Sequence, residues 1–314
     1  KKRYLVGRRA KHDFKLGDFF FPADLEDRQV TARAYQFSRP WGVTVRWHDF
    51  AVLLSKSNPD FLEFHLSFKD MDEDYRKFFT KPYDLDLKVH SPDTFEGDHL
   101  LDLSHPDQAH RERSLAELQR VINLTRELKP FFRNTVTPQI IASLGGFRVD
   151  RFLTREEIAI RYETLGNSLA LLDMDGVELI AQTLPPFPWY FGGQLYLNLF
   201  VHPDDTADFC ARYGMRLCLD VCHSKLACNY FKYSFKEFLD TVAPYVTHLH
   251  MADAAGVDAE GLQIEEGEID FPALVVQLRE LCPEASFIPE IWQGHKNEGE
   301  GFWIALEKLE KMKF

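Results

Sequence analysis

Short apolar runs alternate along most of the chain with longer segments that carry apolar residues at helical spacing. Each run ends in polar or charged residues, as a strand does when it leaves a buried sheet. Eight runs predict strands: GVTVRW (42–47), DFLEFHLS (60–67), DLDLKVHS (84–91), TPQIIASLGG (137–146), GVELIAQT (176–183), RLCLDVCHS (216–224), THLHMADA (247–254) and FIPEIWQGH (287–295). The clearest helix between them is HRERSLAELQRVINLTRELK (110–129). Eight strands with helical crossovers predict an α/β fold of the (β/α)₈ TIM-barrel type.

Four of the predicted strands carry a side chain that can bind a metal ion. These side chains are Glu178, Asp220, His250 and Glu290. The carboxyl ends of barrel strands meet at one face, where TIM-barrel enzymes have their active sites, so we expect the four to converge there. Three carboxylates and one imidazole suit one divalent cation. Mn²⁺, Mg²⁺ or Co²⁺ is preferred over Zn²⁺ because the set is rich in oxygen.

Two histidines share one predicted strand. Side chains alternate along a strand, so His248 and His250 face the same side. His250 lies nearer to the carboxyl end and is the better candidate ligand, whereas we expect His248 to be a packed interior residue. Polar residues on earlier strands are expected to be hydrogen-bonded core groups more often than pocket residues; they are Arg46, Glu63, His65 and Lys88.

The bulk composition narrows the classes of partner. Of the 314 residues, 45% are hydrophobic and 27% are charged, as in an ordinary globular protein. The formal net charge of −12 argues against a nucleic-acid partner. No apolar run approaches the roughly 18–20 residues of a membrane span. Five cysteines without a CxxC pair indicate reduced thiols and a cytoplasmic protein.

Residues 1–40 differ from the rest of the chain. The segment RYLVGRRAKHDFKLGDFFFPADL has a short apolar run, a Lys-Leu-Gly-Asp turn and an aromatic run. It resembles the antifreeze-like (SAF) module of sialic acid synthases, whose pattern is matched here by Asp13, Phe14, Gly17, Asp24 and Leu25. We therefore divide the chain into a small β-rich SAF-like segment, 1–40, and a barrel, 41–314. The alternative is an ordinary N-terminal extension that packs on the barrel.

Three motifs in the barrel resemble those of the xylose isomerase-like superfamily, which includes sugar epimerases, inositol dehydratases and endonuclease IV. They are LDVCHS (219–224), HLHMAD (248–253) and EEGEIDF (265–271), and the resemblance extends over 41–314. It implies that two strand-end glutamates, matched by Glu178 and Glu290, act both as ligands and as acid/base groups. His223 would then bind a substrate oxygen or support Asp220. His90 and Trp292 are further candidates for substrate contacts.

These observations predict a metal-dependent isomerase or epimerase that acts through an enediolate on a small-molecule sugar, sugar phosphate or amino sugar. The SAF-like segment suggests nonulosonic (sialic-like) acid biosynthesis, and it allows the barrel to be part of a longer synthase polypeptide. A homo-oligomer is compatible with the sequence.

Three alternatives remain open. The first is a dehydratase or lyase with the same ligands. The second is a nuclease of the endonuclease IV type, which the stretch 90–114 resembles. The nuclease branch is expected to carry two histidines that this chain lacks, one after the fourth strand and one within Asp258–Leu262. The third alternative is a non-catalytic domain of a sialic acid synthase-like protein.

Overall fold

Eight parallel strands form the central sheet, and they follow one another in chain order. The computed structural model describes residues 10–17, 24, 25, 30–188 and 195–314. The strands of the sheet are β1 (Gly42–Val45), β2 (Phe61–His65), β3 (Asp86–His90), β4 (Gln139–Ala142), β5 (Glu178–Gln182), β6 (Arg216–Asp220), β7 (Val246–Met251) and β8 (Ser286–Pro289). Each overlaps one of the eight predicted runs, so the (β/α)₈ prediction is confirmed.

The sheet closes between β8 and β1. Trp41 forms a parallel bridge with Phe287, and the backbone N–H of Phe287 donates to the carbonyl of Pro40 at 3.0 Å. Side chains alternate along each strand, so every second residue points into the barrel. The result is a nearly closed barrel whose carboxyl ends share one mouth.

Eight helices lie around this barrel in the described part of the chain. They are α1 (Phe50–Leu54), α2 (Gln108–Leu128), α3 (Arg155–Leu169), α4 (Pro203–Tyr213), α5 (Val221–Phe231), α6 (Phe235–Val242), α7 (Phe271–Leu281) and α8 (Lys296–Lys311). The predicted helix at 110–129 is α2. The predicted strand run 216–224 is too long, because the strand ends at Asp220 and α5 begins directly at Val221. None of the helices described is long and apolar enough to cross a membrane.

The main apolar core lies between the strands and the helices, with Leu62, Val89 and Leu219 fully buried. Inside the barrel, a small separate apolar cluster consists of Ile141, Ile180 and Cys218. Polar side chains occupy much of the remaining barrel interior, among them Glu63, Lys88, Gln182 and His248. All five cysteines are buried free thiols.

Within the described residues, three antiparallel strand pairs extend from the mouth. They are Thr94–Phe95 with His99–Leu100, Phe147–Arg148 with Tyr196–Leu197, and Asp253–Ala255 with Ala259–Leu262. The last pair is tied to the EEGEIDF segment, because the buried carboxylate of Asp253 accepts the N–H groups of Gly267 and Ile269 at 2.8 and 3.0 Å. A Cβ on Gly267 would lie 2.3 Å from the carbonyl oxygen of Ala254, so only glycine fits there.

Residues 30–41, which lead into β1, pack against the barrel. Tyr35 is buried between Trp41 and Trp303. The guanidinium of Arg39 donates to the carbonyls of Leu278, Cys282 and Ala285 at the end of α7.

The SAF-like segment is described only in part. Its five pattern residues are described, and Ala10 forms an antiparallel bridge with Leu25. The start of the segment (1–9) and its aromatic run (18–23) lie outside the described residues. The SAF resemblance and the division at residue 40 therefore stay predictions.

Candidate metal centre at the barrel mouth

Three of the four predicted ligands lie together at the carboxyl ends of β6, β7 and β8. Nδ1 of His250 is 2.7 Å from Oε2 of Glu290 and 3.8 Å from Oδ2 of Asp220. One ligand atom from each of the three lies within 4.8 Å of the other two. His250 and Asp220 are buried, whereas the Glu290 side chain is 29% exposed. Glu290 is therefore the member of this set that a molecule in the mouth can reach.

Asp220 is both the last residue of β6 and the N-cap of α5. Its Oδ1 accepts the backbone N–H of His223 at 2.9 Å. Its own N–H donates to Oγ1 of Thr183, also at 2.9 Å. These bonds orient the carboxylate so that Oδ2 faces His250. The junction LDVCHS thus assigns one carboxylate oxygen to the helix cap and the other to the cluster.

The structure does not bring Glu178 to this cluster. Glu178 is the first residue of β5 and accepts a hydrogen bond from Nε2 of Gln139 at 2.8 Å. In a barrel of parallel strands, the first residues lie at the face opposite to the mouth. The expectation that Glu178 lies at the mouth is therefore wrong, and its predicted roles as ligand and acid/base group lose their geometric basis.

β5 contributes Gln182 instead, a residue that sequence reasoning missed. Its amide nitrogen lies 3.2 Å from Nδ1 of His250 and 3.3 Å from Oδ2 of Asp220. Its amide oxygen lies 2.9 Å from Nε2 of His90. A half-turn of the amide exchanges the two atoms, so Gln182 can turn either an N–H group or an oxygen toward the cluster. Strand alternation puts Gln182 on the face of Glu178, four residues nearer to the mouth.

These donor atoms suit a hard divalent cation. Two carboxylates, one imidazole nitrogen and one amide oxygen form an oxygen-rich set of the kind that Mg²⁺ and Mn²⁺ prefer. Nδ1 of His250 faces two carboxylates, the buried Asp220 and the partly exposed Glu290, and this arrangement is stable only when a proton or a cation lies between the ring and the carboxylates. The residues present therefore fit the ion that the sequence predicts.

A cavity of about 290 Å³ adjoins the cluster. Its wall includes the three predicted substrate contacts, His90, His223 and Trp292. It also includes His65 and Glu260, which the sequence analysis did not select as site residues. Nε2 of His223 lies 3.2 Å from Oε1 of Glu260, and Trp292 is 57% exposed at the rim. The volume is near the lower end of the roughly 300–1,000 Å³ typical of small-molecule pockets. The cavity suits a small polar molecule.

Burial and close charges shift the ionisation of this set. Burial raises the pKa of Asp220 to about 7. Burial alone would lower the pKa of His223, but Asp220 and Glu260 outweigh it and raise that pKa to about 10. Burial likewise opposes ionisation of Glu290, yet His250 holds its pKa below the usual range. The pKa of His250 itself is raised well above its usual value, against burial, by Cys218, Glu290 and Glu63.

Cation binding is expected to release protons and to weaken as the pH falls. Asp220, with a pKa of about 7, and His250, with its raised pKa, must both lose their protons before they bind an ion. Asp220, with its pKa of about 7, by itself makes the affinity for Mn²⁺ about tenfold weaker between about pH 8 and pH 6, and the proton on His250 weakens it further. Calorimetry in buffers of different ionisation enthalpy measures the proton release. An affinity independent of pH over this range would contradict the assignment.

Fold and site together define a TIM barrel with metal-binding side chains at its C-terminal mouth. The family of xylose isomerase-like TIM barrels matches residues 52–312. The chain belongs to that family, which confirms the resemblance seen in the barrel motifs. The SAF-like segment lies outside the matched residues.

Several solved structures share the fold. A D-tagatose 3-epimerase-like protein is 18% identical, with a TM-score of 0.55 over 86% of this chain and 99% of that one. L-ribulose 3-epimerase is 15% identical, with a TM-score of 0.53 over 80% and 81% of the two chains. Endonuclease IV from Thermus thermophilus is 14% identical, with a TM-score of 0.56 over 87% and 99%. None of the curated proteins compared with this chain matches it.

Proposed function

We propose that the barrel binds one divalent cation through Asp220, His250 and Glu290 and catalyses the isomerisation or epimerisation of a small sugar. The observation that carries this proposal is the position of Glu290. Its carboxylate is 29% exposed to the mouth and lies 2.7 Å from the buried ring of His250. L-ribulose 3-epimerase and a D-tagatose 3-epimerase-like protein, which share the fold, support the reaction class.

A divalent cation at this site would supply Lewis acidity toward a carbonyl and a neighbouring hydroxyl of an open-chain sugar. Glu290 removes the acidified C–H proton, because it is reachable and because its low pKa keeps it ionised at neutral pH. Return of the proton to the adjacent carbon of the enediolate completes an isomerisation. Inversion of one carbon requires a second proton donor on the opposite face. Gln182 cannot supply it, so that task falls to an imidazole of the cavity wall.

Substrate contacts follow from the cavity wall. His90 and His223 present imidazoles to the cavity, where they can bond to sugar hydroxyls. Trp292 offers an exposed ring that can cover the apolar face of a sugar. A link with nonulosonic acid biosynthesis, a cytoplasmic location and the absence of a nucleic-acid partner rest on the sequence alone and stay predictions.

Solvent exchange tests the reaction directly. The metal-loaded protein is incubated in D₂O with a panel of ketoses, aldoses and acylated amino sugars. We expect deuterium at one carbon of at least one sugar, and no label after chelation of the ion. A product that has lost water would support the dehydratase alternative instead. An inert protein with its ion in place would favour the non-catalytic domain.

Elemental analysis of the purified protein is expected to give one divalent ion per chain. Asp220→Asn removes an anionic oxygen from the cluster but retains a side chain that can cap α5, so it should lower the occupancy without unfolding the helix. Circular dichroism provides the folding control. Unchanged occupancy in Asp220→Asn would show that the ion is bound elsewhere.

A second candidate is a multinuclear phosphodiesterase. One observation favours it: His65, His90, His223 and Glu260 line the mouth beside the cluster, which is more potential ligands than one ion needs. Glu260 stands in Asp258–Leu262, where the nuclease branch was expected to carry a histidine. Three ions per chain, together with incision of an abasic duplex, would establish this reading over the sugar isomerase.

A further inference from the structure

Glu63 lies on β2 below the mouth and is fully buried. Three imidazole nitrogens surround its carboxylate. Oε1 lies 2.8 Å from Nε2 of His65 and 3.0 Å from Nε2 of His250. Oε2 lies 2.6 Å from Nε2 of His248. Two of these histidines, His65 and His250, also border the site at the mouth.

The donor and acceptor roles in this group follow from the carboxylate. An ionised carboxylate only accepts hydrogen bonds, and its two oxygens have room for about four donors. His248 shows the resulting pattern, because its Nε2 faces Glu63 while its Nδ1 lies 2.8 Å from the hydroxyl of Ser286, which can donate. In a neutral imidazole, the hydrogen bond at one nitrogen decides the state of the other.

The hydrogen bond between Nε2 of His65 and Glu63, and the 3.0 Å approach of Nε2 of His250 to the same carboxylate oxygen, leave both Nδ1 lone pairs pointing toward one place. Nδ1 of His250 lies 2.7 Å from Oε2 of Glu290, and Nδ1 of His65 lies 3.7 Å from Oε1 of the same residue. The amide nitrogen of Gln182 also lies close to Nδ1 of His250, at 3.2 Å. One carboxylate behind the two rings thus sets the direction of both.

We propose that Glu63 is a positioning residue: it fixes the Nε2–H tautomer and the orientation of His65 and His250, so that both rings present Nδ1 to the Glu290 side of the mouth. The proposal adds His65 to the groups that face the proposed cation. It rests on the proposed function only for the presence of that cation. Carboxylates behind metal-binding histidines commonly contribute about 10- to 100-fold to metal affinity.

The sequence pattern supports a positioning role over that of an isolated core group. Glu63 and His65 are two residues apart on β2, and His248 and His250 are two residues apart on β7, so both pairs face the barrel interior. Burying a carboxylate is costly unless its hydrogen bonds are satisfied. Hydrogen bonds from His65 and His248 satisfy it here, and Nε2 of His250 lies 3.0 Å from the same carboxylate.

The first test reads the tautomers in the unmodified protein. Long-range ¹H–¹⁵N spectra of the protein loaded with Mg²⁺ distinguish a protonated ring nitrogen from an unprotonated one. We expect a proton on Nε2 and none on Nδ1 of His65 and His250. A proton on Nδ1 of His65 would overturn the proposal. This measurement uses no sugar, so its result is independent of whether the proposed reaction occurs.

The second test uses Glu63→Gln, which keeps the shape but replaces one acceptor oxygen with an NH₂ group. We expect the affinity for Mn²⁺ to fall about 10- to 100-fold and at least one of the two rings to change its tautomer. The matched control is Asp102→Asn, the same chemical change at a buried carboxylate that bonds Ser104 away from the cluster. Unchanged affinity and unchanged tautomers in folded Glu63→Gln would refute the positioning role. If Glu63→Gln does not fold, the tautomers of His65 and His250 in the spectra of the unmodified protein decide whether the positioning role holds.

Discussion

Glu290→Gln is expected to slow deuterium exchange at the substrate carbon by about 10²- to 10⁴-fold, the usual contribution of a general base. The amide keeps an oxygen that can bind a cation but cannot take up a proton. The loss should therefore persist when Mn²⁺ is raised until the variant is saturated. Exchange rates are read by NMR at saturating ion and sugar, and the ion content is measured in parallel.

Glu178→Gln makes the same chemical change at the opposite end of the barrel. We expect its exchange rate and ion affinity to match those of the unmodified protein, because Glu178 is bonded to Gln139 and lies away from the mouth. A loss in Glu178→Gln equal to that in Glu290→Gln would restore the paired-glutamate prediction. Full activity of saturated Glu290→Gln would remove Glu290 as the base.

Gln182→Glu is expected to have opposite effects with and without the cation. The new carboxylate would stand near Asp220, whose Oδ2 is 3.3 Å from the present amide nitrogen. The imidazolium of His250 is already shared by Glu63, Asp220 and Glu290, so a fourth carboxylate adds mainly repulsion, about 4 kcal/mol for two like charges about 4 Å apart at an effective dielectric constant of 20. The ion-free variant should therefore melt several degrees below the unmodified protein. With Mn²⁺ the added anionic ligand should tighten binding by about tenfold or more.

Thermal melts with a chelator and with Mn²⁺ measure both effects. Gln139→Glu is the control, since it adds the same charge to the neighbouring strand at the opposite end of the barrel. We expect no dependence of its melting temperature on Mn²⁺ beyond that of the unmodified protein. If Mn²⁺ fails to restore the stability of Gln182→Glu, Gln182 does not face the cation.

The strand pattern was sufficient to predict the barrel because each strand buries an apolar run between the interior and a layer of helices. It also placed Asp220 and His250 correctly, since both are the last polar residues of long apolar strands. Strand ends are harder to locate. GVELIAQT contains both Glu178 and Gln182 on one face, and nothing local shows which of the two lies at the mouth.

Other parts of the site depend on contacts between distant segments. Glu63 meets His248 across 185 residues of sequence, and no local pattern records such a pairing. Gln182 was missed because an amide side chain does not titrate, so it was not among the candidate ligands or acid/base groups. The start of α5 was missed because Asp220 was interpreted as a strand end, although the same carboxylate also caps a helix.

The double use of Asp220 limits how this site can be redesigned. One oxygen closes the first turn of α5 and the other faces His250, so most replacements would alter the helix and the cluster together. Loss of an N-cap to alanine typically costs about 1 kcal/mol. An engineer who wants a different ion, or none, is therefore confined at this position to the small set of residues that can still start a helix.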